Sequence, residues 1–224
     1  MSEVPLVGGN NAAEVVRVGD TVRRARDNRA DFAAQVLTYL ESVGYPHAPR
    51  YRGIDEKDRD ILTFVPGATT NHPTQRAPGA YARGGRMLRT LHEATAGTIL
   101  AAGQECVIHG DPGPFNTIFQ HGLPVAFIDW SSCRPGNRLD DLGYMAWTWC
   151  IQSQGRVPID QQALHLRELR DGYGTVASEQ LLDSMIRQQT SIAEREAANL
   201  DDPKTTTDRQ LIHQHKNLLL AALR

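Results

Sequence analysis

The stretch that decides the fold is VIHGDPGPFNTIFQHGLPVAFIDW, residues 107–130. Short apolar runs alternate in it with loops that carry the residues of chemical interest, which are His109, Gly110, Asp111, Asn116 and Asp129. One carboxylate follows His-Gly, an amide comes five residues later, and a second carboxylate ends an apolar strand. Three oxygen-bearing side chains can therefore converge on one side of a hairpin, and hard oxygen ligands are what magnesium-nucleotide chemistry needs. The stretch predicts a phosphoryl-transfer site.

Elementary chemistry suggests a role for each polar residue of this stretch. Phosphoryl transfer asks a protein mainly to align an acceptor oxygen and to neutralise phosphate charge. Asp111 would accept a hydrogen bond from the substrate hydroxyl and take its proton late in the transfer. Asn116 would give Mg²⁺ a neutral oxygen, and Asp129 an anionic one that bridges the phosphates. We expect His109 to brace the loop by hydrogen bonds rather than to titrate, and Gly110 to permit a turn that a side chain would obstruct.

A purely structural interpretation of these residues stands beside the catalytic one. A lone aspartate after a strand is usually a turn or cap residue. For Asp111, the joint pattern with Asn116 and Asp129 favours catalysis over that interpretation. For His109 and Asp141 the structural interpretation is favoured, because a buried histidine or an aspartate at the start of a helix is usually a scaffold group.

Composition excludes several classes of protein. The chain has 224 residues and a net charge of -2 with acidic and basic residues interspersed, which argues against a nucleic acid or a membrane surface as partner. Three cysteines without paired spacing argue against a disulfide framework and a zinc site, and they suit a reducing cytoplasm. The longest purely apolar run, residues 218–223, is too short to span a bilayer. We expect a soluble, cytoplasmic protein, and the sequence does not fix its oligomeric state.

The N-terminal part of the chain is rich in strand patterns. Residues 1–26 predict a small antiparallel sheet with a tight turn at Gly19-Asp20. Apolar residues at helical spacing predict a helix from Asp31 to Val43 with Gly44 as its C-cap. Two further strands are expected around the charged turn from Asp55 to Asp60, and a linker follows at Pro66-Gly67.

Helical patterns dominate the rest of the chain. One helix is expected over residues 80–95, before the hairpin of the motif. The other predicted helices cover residues 141–153, 160–171, 177–199 and 206–223, with first-turn or N-cap candidates at Asp141, Asp160, Ser178 and Thr207. The predicted fold is α+β, with a small β-rich lobe over residues 1–66 and a larger, mostly helical lobe over residues 67–224.

The arrangement resembles the aminoglycoside phosphotransferase and choline kinase-like branch of the protein kinase fold. The strongest part of the resemblance is His109-Gly110-Asp111 with Asn116, followed by Ile128-Asp129-Trp130, which is similar to the kinase catalytic loop and its metal-binding aspartate. The stretch that begins RPGNRLDDLGY at Arg134 and the stretch from Leu62 to Gly67 also resemble family segments, and all of them occur in the family order.

The resemblance implies a two-lobed kinase that uses Mg²⁺ and ATP or GTP to phosphorylate a hydroxyl of a small molecule. Residues 62–67 would be the hinge between the lobes, where Phe64 and Val65 would contact the nucleotide. Asp141 resembles the family aspartate that ties the catalytic loop to a neighbouring helix. Asp111, Asn116 and Asp129 match the catalytic base and the two metal ligands of the family.

The first lobe departs from the family pattern. Gly8-Gly9 is the nearest approach to a glycine-rich phosphate loop, and two glycines also make ordinary turns. The strand that begins at Thr21 has no lysine for the phosphates; Arg23 is the expected substitute, with Arg24 on the opposite strand face, although a solvated surface arginine is an equal interpretation. Gln35 stands where the family usually has the glutamate that pairs with that cation. The nucleotide clamp is therefore expected to be altered.

The acceptor and two competing functions stay open. Acidic and basic residues are nearly balanced from residue 151 onward, which does not favour a polycationic aminoglycoside as acceptor. Trp147 and Trp149, with Tyr144, are expected in the core rather than around a ligand. A non-catalytic kinase-like binding protein is the main alternative, motivated by Gln35 and the missing lysine. A metal-dependent hydrolase that uses His109, Asp111 and Asp129 directly is a third interpretation.

Overall fold

A computed structural model of the chain describes residues 2–6, 15–70, 72–153, 157–197 and 203–223. The predicted glycine-rich turn at Gly8-Gly9 lies outside these residues. In the described part of the chain, none of the helices combines the length and the apolar character that a bilayer crossing requires. Cys106, Cys133 and Cys150 are all buried and free.

The N-terminal lobe is built on a five-stranded antiparallel sheet. Its strands are β1 Val4–Pro5, β2 Val15–Val18, β3 Thr21–Ala25, β4 Tyr51–Ile54 and β5 Arg59–Thr63, in the order β1-β2-β3-β5-β4. The turn between β2 and β3 uses Gly19 with φ 64°, a left-handed conformation that glycine adopts without steric cost. The predicted turn at Gly19-Asp20 is therefore confirmed.

One helix, α1 Ala30–Ser42, packs on this sheet. Its buried side chains recur at spacings of three and four residues, so one apolar stripe faces the sheet; they are Ala33, Val36, Leu37 and Leu40. Gly44 follows with φ 74°, and the Gly44 and Tyr45 amides donate to the Glu41 and Leu40 carbonyls. This is the predicted glycine cap, which satisfies carbonyls that the helix leaves free at its end.

The C-terminal lobe is mostly helical. Its helices are α2 Ala80–Thr95, α3 Arg138–Cys150, α4 Ile159–Tyr173, α5 Ser178–Ala197, α6 Pro203–Gln214 and α7 Lys216–Ala222. Its strands form two antiparallel pairs, of β6 Cys106–Ile108 with β9 Arg134–Gly136 and of β7 Thr117–Gln120 with β8 Leu123–Phe127. Fully buried side chains from all six of these helices share one core, among them Leu88, Trp149, Leu166, Met185, Ile212 and Leu219.

The largest differences from the predicted helices are at α3 and at the last helix. Helix α3 begins three residues earlier than expected because Asn137 is its N-cap, with its Oδ1 accepting from the Leu139 amide at 2.8 Å. Asp141 therefore lies in the first turn of the helix, one of its two predicted positions, and is not the N-cap. The last predicted helix is divided at His215 into α6 and α7. Periodicity does not reveal this break because buried apolar residues, Ile212 and Leu219, continue at helical spacing across it.

The segment after β5 connects the two lobes. Ala68 and Phe119 of β7 exchange two backbone hydrogen bonds, of 3.1 Å and 2.8 Å, so the chain is tied to the second lobe within five residues of Thr63. The α+β, two-lobed, protein kinase-like class is confirmed. The division at residues 66 and 67 stays a prediction.

Candidate active site

Asp111 lies in the loop that follows β6 and is half-buried. Gly110 precedes it with φ 83°, and a Cβ there would lie 2.3 Å from the Ser132 carbonyl oxygen, so the loop requires glycine at this position. Asp111 Oδ1 is buried and has no hydrogen-bond partner. A buried carboxylate oxygen without a partner is costly, which makes it a good acceptor for a hydroxyl group that enters the site.

His109 braces this loop from below. Its ring is buried, Nε2 lies 3.0 Å from the Ile128 carbonyl oxygen, and the Asp111 amide donates to Nδ1 at 3.3 Å. Because Nδ1 accepts, the proton of the neutral ring is on Nε2, which donates to Ile128. Burial lowers the pKa of His109 below its ordinary value, against the opposing effect of the nearby carboxylates. The ring is therefore neutral and both of its nitrogens are used.

Asp141 fastens the same loop to α3. Its Oδ2 accepts from the His109 amide at 2.6 Å and its Oδ1 from the Gly110 amide at 2.8 Å, and His92 Nε2 lies 3.1 Å from Oδ2. Burial by itself would raise the pKa of Asp141, but the hydrogen bond and charge of His92, with the loop amides, lower it below its ordinary value. These contacts are those expected of an aspartate that ties the loop to the helix.

The two proposed metal ligands are coupled through the backbone. The Ile128 amide, next to Asp129, donates to the Asn116 carbonyl at 2.8 Å. Asn116 Nδ2 donates to the Asp111 carbonyl at 3.1 Å, which turns Asn116 Oδ1 the other way. Asp129 has the left-handed φ of 60°, an uncommon conformation for a residue with a side chain. One amide oxygen and one carboxylate are thus held at fixed positions beside the catalytic loop.

Asp129 is also paired with the first lobe. Arg24 Nη1 lies 2.5 Å from Asp129 Oδ1, and Ser131 Oγ donates to the same oxygen at 2.8 Å. Burial would raise the pKa of Asp129, but the Arg24 guanidinium and the Ser131 hydroxyl lower it below its ordinary value. The carboxylate is therefore ionised at neutral pH, as a metal ligand must be.

Arg23 and Arg24 lie on opposite faces of β3. Arg23 lies on the other face of β3, where Nη1 donates to Thr21 Oγ1 at 2.6 Å and Nε lies 3.6 Å from Asp55. Arg24 faces the second lobe. The structure thus places Arg24, and not Arg23, beside Asp129. Alternate residues of a strand point to opposite faces, and two adjacent arginines do not show which face is which. Phosphate binding by Arg23 stays a prediction.

No glutamate accompanies Arg24 from α1. A cavity beside Arg24 is lined on the α1 side by Ala33 and Ala34, and on other sides by Leu62 and Trp130. Among the described residues, Asp129 is the only carboxylate that forms an ion pair with Arg24. Gln35 stands where the family usually has a glutamate that pairs with the cation of the strand. Arg24 is instead paired with Asp129 of the second lobe.

The proposed hinge lies at the edge of the same cleft. Phe64 and Val65 are half-buried, and the Phe64 amide donates to the Asp20 carbonyl at 2.8 Å. The Arg17 guanidinium carbon lies 3.8 Å from the centre of the Phe64 ring, a cation–π arrangement. Contact of Phe64 and Val65 with a nucleotide stays a prediction.

Tyr144 was expected in the core with Trp147 and Trp149, but it is only half-buried and lies beside Asp111. Its hydroxyl is a hydrogen-bond donor to the Asp111 carboxylate. Burial raises the pKa of Asp111, and the charge of Asp129 adds to this, whereas Tyr144, His109 and Asn116 oppose it. The available signal is position, since Tyr144 is three residues after Asp141 and shares its side of α3. The neighbouring Trp147 and Trp149 are buried in the core as predicted.

The donor set fits magnesium rather than a cluster of metals. Asn116 and Asp129 offer hard oxygen ligands and leave the other positions to phosphates and water, as Mg²⁺ prefers. The described part of the chain contains no group of three or more His, Cys, Asp and Glu that could hold a metal ion. Because both nitrogens of His109 bind backbone groups, that residue does not serve the hydrolase interpretation as a ligand.

Comparisons with known proteins lead to the same chemistry. The sequence profile of the phosphotransferase enzyme family, APH, matches residues 97–178, which include Asp111, Asn116 and Asp129. The trifolitoxin immunity protein of Rhizobium leguminosarum bv. trifolii is 31% identical over 195 residues, which cover 77% of this chain and 74% of that protein. The chain belongs to the phosphotransferase enzyme family.

Solved structures share the fold of this family member. A choline/ethanolamine kinase family protein from Mesorhizobium loti has a TM-score of 0.62 and 18% identity, and the match covers 100% of this chain and 92% of that one. An ADP-bound aminoglycoside phosphotransferase has a TM-score of 0.59 and 12% identity, with 99% and 93% covered. The fold is shared with both, and family membership supports a small-molecule phosphotransferase.

Proposed function

We propose that this family member transfers the γ-phosphoryl group of a nucleoside triphosphate to a hydroxyl of a small molecule. The observation that carries the proposal is the unpartnered, buried Asp111 Oδ1, held in one loop system with Asn116 and Asp129. An acceptor hydroxyl that donates to Oδ1 would satisfy this oxygen. The same hydroxyl would then lie beside the two groups that bind metal and phosphate.

Asp111 is the proposed catalytic base. It orients the acceptor oxygen for in-line attack on the γ-phosphorus, the bond to the β–γ bridging oxygen breaks, and the hydroxyl proton passes to the Asp111 carboxylate. His109 and Asp141 do not react; they hold the backbone amides of residues 109 to 111. Tyr144 holds the carboxylate itself.

Asn116 and Asp129 are the proposed ligands of Mg²⁺. The ion would supply neutralisation of the negative charge on the phosphates. Arg24, rather than Arg23, would bind the phosphates from the first lobe, because its guanidinium already faces Asp129 and can hold phosphate oxygens bidentately. Phe64 and Val65 would contact the base of ATP or GTP.

The acceptor class is left open by these residues. Similar proteins carry names that refer to choline, ethanolamine, aminoglycosides and immunity to a toxin. Choline, ethanolamine and aminoglycosides are small molecules that carry hydroxyl groups, so they form the first panel of acceptors to test. The proposal does not depend on which of them reacts.

Transfer of ³²P from the γ-position of ATP to this panel tests the proposal. The wild type should label at least one acceptor, and Asp111→Asn should label it at a rate lower by a factor on the order of 100 to 10,000 with unchanged nucleotide affinity. Asp140→Asn is the matched control, because Asp140 lies on α3 and bonds Gln188 instead of the loop. Labelling by Asp111→Asn at the control rate would contradict the role of Asp111.

A non-catalytic, kinase-like binding protein is the competing function. The observation that favours it is the missing α1 carboxylate beside Arg24. It predicts that neither ATP nor GTP binds with Mg²⁺, whereas the proposed phosphotransferase binds at least one of them.

A further inference from the structure

The ion pair between Arg24 and Asp129 joins two groups that the proposed reaction uses separately. Arg24 belongs to β3 of the first lobe and Asp129 follows β8 of the second, yet their side chains meet at 2.5 Å across the cleft. The side chains are 24% and 42% exposed. A permanent positive charge therefore lies against the carboxylate proposed to hold the metal ion.

Asp129 is the carboxylate that pairs with Arg24 in this arrangement. Asp60 is the cross-strand neighbour of Arg24 on β5 and is affected by its charge, but the ion pair of Asp60 is with Arg26. The α1 residues that line the adjacent cavity are all apolar; they are Ala30, Ala33, Ala34 and Leu37. Among the residues that the structure describes, Arg24 thus forms its only ion pair with Asp129.

We propose that Arg24 excludes free divalent cations from Asp129, so that the metal ion enters this cleft only together with nucleotide phosphates. The part of the inference that concerns nucleotide rests on the proposed function, since the phosphates must draw the Arg24 guanidinium away from Asp129. The part that concerns free metal ions depends only on Arg24 and Asp129.

Electrostatics gives the direction and size of the effect. A guanidinium within about 5 Å of a divalent ion repels that ion. Even at the dielectric constant of water, the repulsion energy lowers the affinity for the ion by about tenfold. Phosphate oxygens reverse this balance, because they offer the guanidinium a bidentate anionic partner and give the metal ion further ligands. Metal and nucleotide should then bind cooperatively.

Binding of Mn²⁺ alone, measured from the electron paramagnetic resonance signal of the free ion, tests the part that concerns free metal ions. Arg24→Gln should bind Mn²⁺ about tenfold more tightly than the wild type. Arg24→Lys keeps the charge and should bind Mn²⁺ as weakly as the wild type. Arg23→Gln is the matched control on the opposite face of the same strand and should also bind it weakly.

The double variant Arg24→Gln with Asp129→Ala shows whether the gain belongs to this site. It should lose the additional affinity for Mn²⁺. Equal Mn²⁺ affinity in Arg24→Gln and the wild type would overturn the inference, as would an equal gain in Arg23→Gln or a gain that survives Asp129→Ala.

A nucleotide arm separates this inference from the proposed function. Adding ATP should make Mn²⁺ bind the wild type more tightly. The difference in Mn²⁺ affinity between the wild type and Arg24→Gln should then become smaller or change sign. If the wild type binds no nucleotide at all, the proposed function fails, while the result with Mn²⁺ alone still decides the exclusion by Arg24. If nucleotide binds but Arg24→Gln leaves the affinity for Mn²⁺ alone unchanged, only the exclusion fails.

Discussion

The two sides of the cleft are held by different kinds of contact. On the catalytic side, the buried Asp141 carboxylate binds two loop amides and His92, and Trp149 Nε1 donates to the Pro112 carbonyl at 2.9 Å. On the nucleotide side, one partly exposed ion pair joins Arg24 to Asp129. The first side is fixed before any substrate binds, whereas the second can change partners.

The energetic basis of this difference is burial. A buried carboxylate that loses its donors leaves an uncompensated charge, which costs several kcal/mol. An ion pair open to water contributes about 0–1 kcal/mol, so it is easily exchanged for phosphate contacts. The Asp111 loop is therefore preorganised, whereas Arg24 can adapt to a bound phosphate.

The largest effect on stability is expected from Asp141→Asn. The variant loses the charge that His92 and the loop amides stabilise, and we expect the free energy of unfolding to fall by about 3 kcal/mol. Urea unfolding at pH 7 measures this, with Asp140→Asn as the partly exposed control on the same helix turn. Equal losses in the two variants would remove the special role of the Asp141 network.

The same variant should change the dependence of stability on pH. Because the pKa of Asp141 is lowered in the folded protein, its carboxylate stabilises the fold above its ordinary pKa of about 4. That contribution to stability is lost as the pH falls through the lowered pKa of Asp141 in the folded protein. As the pH falls below about 4, Asp141→Asn should therefore lose less stability than the wild type.

A smaller, more selective effect is expected from Tyr144→Phe. Loss of the hydroxyl removes a donor that favours ionised Asp111, so the pKa of Asp111 should rise further above its ordinary value. The acid limb of the pH profile of kcat/KM should then move to higher pH, with activity about threefold to tenfold lower at its acid end. Near the alkaline plateau the rates should converge.

The ring that remains in Tyr144→Phe keeps its packing against Trp147, whose ring centre lies 5.8 Å away. Unfolding in urea should therefore change little, which separates an effect on Asp111 from a loss of structure. A uniform fall in rate at every pH would indicate that Tyr144 positions the loop without influencing the ionisation of Asp111.

The sequence predicts that Asp111, Asn116 and Asp129 lie close together, while their catalytic and metal-binding roles stay predictions. Asp111, Asn116 and Asp129 lie within one short stretch, so their spacing and the apolar runs between them already constrain which groups meet. Asp141 was predicted both as a possible cap and as a support for the loop, and the structure assigns the cap to Asn137 instead. Local sequence was sufficient for Asp111 and Asn116 because the hydrogen bond that joins them spans only five residues.

The nucleotide side depends on contacts between residues far apart in the chain. Adjacent Arg23 and Arg24 give no indication of which strand face points into the cleft until β3 is placed beside β5 and the second lobe. The ion pair with Asp129 spans 105 residues, and no local pattern predicts it. The contact of Tyr144 with Asp111 was missed for the same reason, since it depends on how α3 lies against the loop.

Calorimetric titration of Mg-ATP, and then Mg-GTP, into the wild type and Asp129→Ala tests whether Asp129 holds the metal ion of a bound nucleotide. We expect the wild type to bind at least one of these complexes and Asp129→Ala to lose that binding, because the variant lacks the carboxylate proposed to hold the metal. Binding of equal affinity in both proteins, or no binding of either nucleotide to the wild type, would show that Asp129 does not have this role.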